Sequence, residues 1–233
     1  MEQIAANPKL TGLLGFNAGY VDTAGFLALN GLFAAHVTGN FVTFGAAIAH
    51  GTAGALAKLL ALPVFCFAVA LACLVSAGLQ RRSRSPMPVL ISAKCALLFA
   101  AAAAAIAEGP FTGRNPWAEF AVGMTLVTAM GLQNAMQRMH LSSAPPSTLM
   151  TGTTTQVMID LTCLAQGETG DARTAALGRL RKMVPAILVF AAGCGLAALA
   201  YIFAKEWCFA LPPVIALLTL WVSAERRESP GPA

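Results

Sequence analysis

The stretch "HVTGNF" (residues 36–41) breaks a long apolar run with a His, a Thr, a Gly and an Asn. Further on, "LMTGTT" (residues 149–154) does the same. The chain around them is 57% apolar and only 11% charged, with a mean hydropathy of +0.69. A soluble domain is usually about a quarter charged. Composition alone therefore places the chain in the membrane class, and the polar interruptions become its most informative residues.

Working outward from them, six stretches are long enough to cross a bilayer, which takes ~20 apolar residues. Residues 59–79, 183–204 and 207–223 carry no charge, whereas 10–29, 87–107 and 117–135 carry one ionisable group each: Asp22, Lys94 and Glu119. The start, MEQIAANPKL, lacks a basic n-region and a small-residue cleavage site, so the first span is expected to stay as a membrane helix. The six cysteines are scattered without a CxxC pair. They read as small apolar filler rather than a metal or redox site. Basic residues gather at span ends, so the net charge of +5 asks for no nucleic-acid partner.

The two polar stretches occupy corresponding places in an internal duplication. Gly19-Tyr-Val-Asp22 matches Gly131-Leu-Gln-Asn134, and Thr38-Gly39 and Thr151-Gly152 follow sixteen and seventeen residues after Asp22 and Asn134. Each Thr-Gly is followed by a short apolar segment ending in His50-Gly51 or Gln166-Gly167, then by Pro63 or Pro185 inside a long apolar run. Either each Thr-Gly segment crosses the membrane, giving eight spans and parallel halves, or it dips in and returns, giving six spans and inverted halves. Lys and Arg in short loops discriminate. With six spans, one face holds Lys9, Arg81, Arg82, Arg84, Arg138, Arg173, Arg179, Arg181, Lys182, Arg226 and Arg227, against Lys58, Arg114 and Lys205 on the other. With eight, the split falls to nine against five. The expectation is an all-α polytopic membrane protein of about six transmembrane helices plus two re-entrant half-helices. It forms a single integral membrane domain over residues 1–233, with inverted repeats at about 10–107 and 117–223 and both termini cytoplasmic.

Irregular backbone at membrane depth has to be buried in protein or line a wet cavity. Thr38-Gly39-Asn40 is thus expected to tip a hairpin whose half-helix, 41–49, climbs back out. Thr151-Gly152-Thr153 would open a second, 156–165, from the opposite side. Their N-termini would aim free N–H groups at the midplane, and broken helices in matching positions point to a transporter binding site. The plainer reading is a packing notch, as in Gly15-x-x-x-Gly19.

Asp22 stands inside a span, where an ionisable group is a functional hypothesis by default. It is a candidate for H⁺ or Na⁺ coupling or for pairing with Lys94, unless it lies nearer the interface than the span suggests. His36 is a candidate proton carrier, although a satisfied hydrogen-bonding His is the blander alternative. Asp160 would serve coupling asymmetrically. Gln133 and Asn134 are candidate uncharged cavity groups. Residues 171–184 ("DARTAALGRLRKMV") read as an interfacial helix, with plain anchoring favoured over lipid regulation.

Through "GYVDTAGFLALNGLFAAHVTGNFV" (residues 19–42) and "GLQNAMQ" with "LMTGTTTQVMIDL" (residues 131–137 and 149–161), the chain resembles the YoaK-like family of bacterial integral membrane proteins, a domain of unknown function. The resemblance covers nearly the whole chain. It implies a multi-pass bacterial inner-membrane protein and carries no activity. The positions that match are Gly19, Asp22, Thr38, Gly39, Asn40, Gln133, Asn134, Thr151, Gly152 and Thr153. The leading functional expectation is a small secondary transporter for an anionic or zwitterionic solute, with proton coupling through Asp22. A channel with paired hairpins and a non-transporting scaffold are the alternatives. Neither HExxH, GxSxG nor a P-loop occurs, so no enzyme, cofactor or metal is expected. The lipid bilayer, a small solute and a second copy of the chain in a homodimer are the expected partners.

Overall fold

The computed structural model describes residues 7–111 and 115–228, and every regular element among them is helical. Arg114 of the charge count, and residues 1–6 on which the signal-peptide reading rests, lie outside the described residues. Helix α1 (Pro8–Ala28) begins at Asn7, whose carboxamide accepts from Lys9 N at 2.9 Å, and α5 (Pro116–His140) begins at Asn115, which accepts from Ala118 N at 3.2 Å. In both, proline stands at the first position, where a missing N–H costs nothing.

A loop, 29–38, leads from α1 to α2 (Gly39–His50), and a loop, 141–149, leads from α5 to α6 (Met150–Ala165). Both short helices end in a connection built on two glycines with positive φ: Gly51 (63°) and Gly54 (82°) after α2, Gly167 (90°) and Gly170 (64°) after α6. Only glycine adopts that region without strain. Then come the long helices α3 (Ala55–Arg81) and α7 (Gly170–Ala204), with Pro63 and Pro185 in their interiors. Helix α4 (Pro86–Glu108) closes the first half. A 3₁₀ turn, Lys205–Ala210, and α8 (Leu211–Glu228) close the second.

Three stretches are long and apolar enough to cross a membrane: Ala55–Arg81, Pro86–Glu108 and Gly170–Glu225, the last interrupted by the 3₁₀ turn. Among the described residues the chain is all-helical, with the long apolar helices of a membrane protein.

The helices pack in matched pairs: α1 on α7 and α5 on α3, α4 on α5 and α8 on α1, with α4 against α8. Helices α1 and α5 run antiparallel. Asn30, just past the end of α1, donates to Glu119 near the start of α5 at 2.6 Å, while Gln133, late in α5, donates to Leu14 O near the start of α1 at 2.9 Å. A Cβ on Gly19 would run into Phe190 O, and one on Gly193 into Phe16 O, so α1 and α7 touch backbone to backbone. On α5 the corresponding notch is Gly131, where a Cβ would meet the Ala68 methyl at 2.8 Å.

The interior is divided along the helix axes. One apolar cluster holds Ala18, Cys95 and Met130 with residues beyond them toward the end of α1. A second holds Leu10, Leu14, Ile91, Leu132 and Met136. Between the two, each of the three central helices buries a polar residue: Asn17, Lys94 and Gln133.

Three expectations need correction. The half-helices expected at 41–49 and 156–165 begin earlier, at Gly39 and Met150. Residues 171–184 are not a separate interfacial helix: they form the first turns of α7, continuous with its apolar run through Pro185. Proline there removes one N–H donor, yet the helix carries on past it. The last apolar run, 207–223, starts inside the 3₁₀ turn, so the helix proper begins at Leu211.

Candidate functional site

Asp22 lies late in α1 with only 3% of its surface exposed. A buried carboxylate needs donors, and loop 29–38 supplies them. Asp22 Oδ1 accepts from Ala35 N at 2.6 Å and from His36 N at 3.4 Å, and Oδ2 pairs with His36 Nδ1. The loop therefore doubles back along α1 from its end to the level of Asp22. Asn40 closes it from the other side: Asn40 Oδ1 accepts from Phe33 N at 2.8 Å, and Asn40 Nδ2 donates to Phe33 O at 2.8 Å. Gly39 leaves room for the Phe33 ring, which a Cβ would meet at 3.1 Å. The His36 ring, 34% exposed, stands edge-on to Phe190 at 5.7 Å between centroids.

The second loop is captured the same way by neutral groups. Thr148 Oγ1 donates to Asn134 Oδ1 at 2.7 Å across fourteen residues, the separation that also joins Asp22 to His36. Gln133 Nε2 donates to Ser147 Oγ at 3.0 Å, and Ser147 N donates to Gln137 Oε1 at 3.0 Å. Behind them the fully buried Lys94 Nζ donates to Gln133 Oε1. The expected alternative, a Lys94 partner for Asp22, is corrected: the carboxylate takes His36 and loop amides, and the ammonium takes Gln133.

The two loops line one cavity of about 460 Å³, with His36 and Thr38 from the first, Thr148 and Leu149 from the second, and Asn134, Gln137 and Arg138 from α5. Asp22 stands behind His36. A cavity of this size suits a small ligand, the usual range being ~300–1,000 Å³.

The other expected residues separate from it. Thr151 and Gly152 are exposed, and Thr151 lines an open groove along the outer face of α6 with Thr154 and Thr155. Thr153 turns inward and donates to Leu149 O at 3.0 Å, a bond within its own helix. Asp160 is tied to α7 by a two-pronged pair with Arg179, at 2.9 and 2.7 Å, and accepts from Gln156 at 2.9 Å. These bonds fix α6 to α7, and Asp160 does not line the cavity between the loops.

Ser147, Thr148 and Gln137 went unnamed in the sequence. The signal that finds them is the fourteen-residue step from Asp22 to His36, which leads from Asn134 to Thr148 rather than to Thr151.

Residues 10–222 match the family model described as a protein of unknown function (DUF1275). The chain belongs to this family. No curated protein and no solved structure matches it. For this DUF1275 chain the geometry of the two captured loops is thus the source of functional inference. The family match agrees with the YoaK-like resemblance of the motifs.

Proposed function

We propose that the protein is a small secondary transporter of a bacterial inner membrane, carrying a small anionic or zwitterionic solute through the cavity between the loops and coupled to protons by the Asp22–His36 pair. The observation that carries this reading is the shared cavity. Two polar loops, each held by a residue fourteen positions back, meet on it, and one brings a carboxylate–imidazole pair to its wall.

The antiparallel run of α1 and α5 supports six spans in inverted halves. Loop 29–38 then enters from the end where α1 finishes and loop 141–149 from the end where α5 finishes, so both behave as re-entrant segments. Arg138 on the wall favours negative charge in the cavity; the start of α2 adds no free donors to it, because Gly39 N, Asn40 N and Phe41 N already donate to His36 O, Val37 O and Thr38 O. A carboxylate beside an imidazole holds one proton more or fewer as its surroundings change, which is what coupling requires.

Uptake into proteoliposomes under an imposed pH gradient tests this, with a panel of small carboxylates, phosphate and amino acids. Asp22→Asn is expected to abolish gradient-driven uptake, and Gly39→Leu to block it by displacing the Phe33 ring. If neither variant alters uptake of any solute, the transport reading fails. The scaffold alternative, in which the loops only lock the helices together, then gains, and co-purification with a fixed partner becomes its mark.

A further inference from the structure

Helix α1 presents Gly12, Gly15 and Gly19 in succession, and the last is filled by the α7 backbone. At Gly12 and Gly15 an added Cβ would meet nothing within 4 Å, although Gly15 is buried. The space they leave is a second cavity, of about 600 Å³, bounded by the start of α1, loop residues 143–147 and the first half of α7. Its floor is apolar, with Gly12, Gly15, Ala186 and Val189. Its rim carries Arg181 and Lys182. Neither cation enters an ion pair among the described residues, while their neighbour Arg179 is spent on Asp160.

An apolar trough with two unspent cations at its mouth fits an amphiphile. It lies where α7 passes from its charged first turns into the uncharged run 183–204, the level of lipid headgroups for a helix that spans. A free hydrated anion gains nothing from the floor, and an uncharged or zwitterionic lipid gains little from the rim. We propose that this cavity binds an anionic phospholipid, with its phosphate on Arg181 and Lys182 and the upper part of an acyl chain over Gly12 and Gly15. Ala144 and Pro146 line both this cavity and the one between the loops, so bound lipid leans on the loop that carries Ser147 and Thr148. The site does not depend on the transport reading.

Native mass spectrometry of the purified full-length protein tests it, with phosphatidylglycerol, phosphatidylcholine and inorganic phosphate as probes. Phosphatidylglycerol is expected to be retained over phosphatidylcholine. Arg181→Gln and Lys182→Gln are each expected to weaken it about fivefold, the worth of one cation at a lipid surface. Gly15→Leu is expected to remove it with an unchanged elution volume. Equal retention of the two lipids, or displacement of phosphatidylglycerol by millimolar phosphate, overturns the proposal. So does wild-type retention by Gly15→Leu, since surface charge would then suffice without a seat. Should Gly15→Leu not fold, Gly12→Val and the Arg181→Gln/Lys182→Gln double variant decide it, and undiminished retention in either overturns it.

Discussion

The two loops solve one problem with different chemistry. Each must bring polar backbone back along the helix it has just left, and each is caught by a side chain fourteen residues earlier. In the first half the catch is ionisable: Asp22 accepts two loop amides and holds His36. In the second it is neutral: Asn134 accepts one hydroxyl, and Gln133 and Gln137 hold Ser147. The second version shows that a carboxylate is not needed to pin such a loop, although Lys94 stands behind Gln133. A carboxylate where an amide would serve costs desolvation, and that surplus is the argument that Asp22 and His36 do more than hold the loop.

The largest test of this contrast is to delete both catches. Asp22→Ala strands the His36 ring and two amides and is expected to cost about 3–5 kcal/mol, as removal of one partner from a buried pair does. Asn134→Ala is expected to cost about 1 kcal/mol, one neutral hydrogen bond. Thermal unfolding in detergent measures both, and equal losses would erase the distinction.

The helix crossings offer the next contrast. Gly19→Ala and Gly193→Ala push a methyl into facing backbone, whereas Gly131→Ala presses on the Ala68 methyl and makes ordinary contact with Phe65. The first two are expected to lower stability by about 1–3 kcal/mol, the usual cost of overpacking, and the third by less. Unfolding curves for the three variants, ranked otherwise, would break the correspondence of the crossings.

A subtler substitution separates charge from geometry. Asp22→Asn keeps an oxygen for the Ala35 amide, so it is expected to cost less than Asp22→Ala in the same unfolding assay while still losing gradient-driven uptake.

The smallest effect divides the two Thr-Gly motifs. Gly152 sits in an exposed helical turn with open space where its Cβ would be, and Gly152→Ala is expected to stabilise by up to ~1 kcal/mol, the helix preference of Ala over Gly. Gly39→Ala is expected to destabilise, because the Phe33 ring is in the way. Matching signs in the melting temperatures would restore the equivalence of the motifs.

Much of the fold was legible because long apolar runs admit few alternatives. The runs at 59–79 and 87–107 lie inside α3 and α4, and Asp22 and Asn134, which match in the sequence, each hold a loop residue fourteen positions on. The second Thr-Gly misled because the halves diverge by one residue in that spacing. Thr38 precedes the first residue of α2, but Thr151 is already inside α6, and a helix turns through about 100° per residue. Asp160 was drawn into the site by its sequence proximity to Thr-Gly, but its partner Arg179 lies nineteen residues on, across a turn. Which acceptor Lys94 takes depends on how α1, α4, α5 and the loop 141–149 converge, and nothing local to Lys94 encodes that.

The backbone contact between α1 and α7 has a mechanical consequence. At Gly19 and Gly193 the helices meet backbone to backbone, with the Cys194 thiol beside the contact, so that point is a fulcrum. On one side of it α1 carries Asp22 and the loop on the His36 cavity; on the other it carries Gly12 and Gly15, the floor of the basic cavity. A lever moves its two arms in opposite senses. Any tilt of α1 about that crossing therefore displaces the walls of the two chambers in opposite directions.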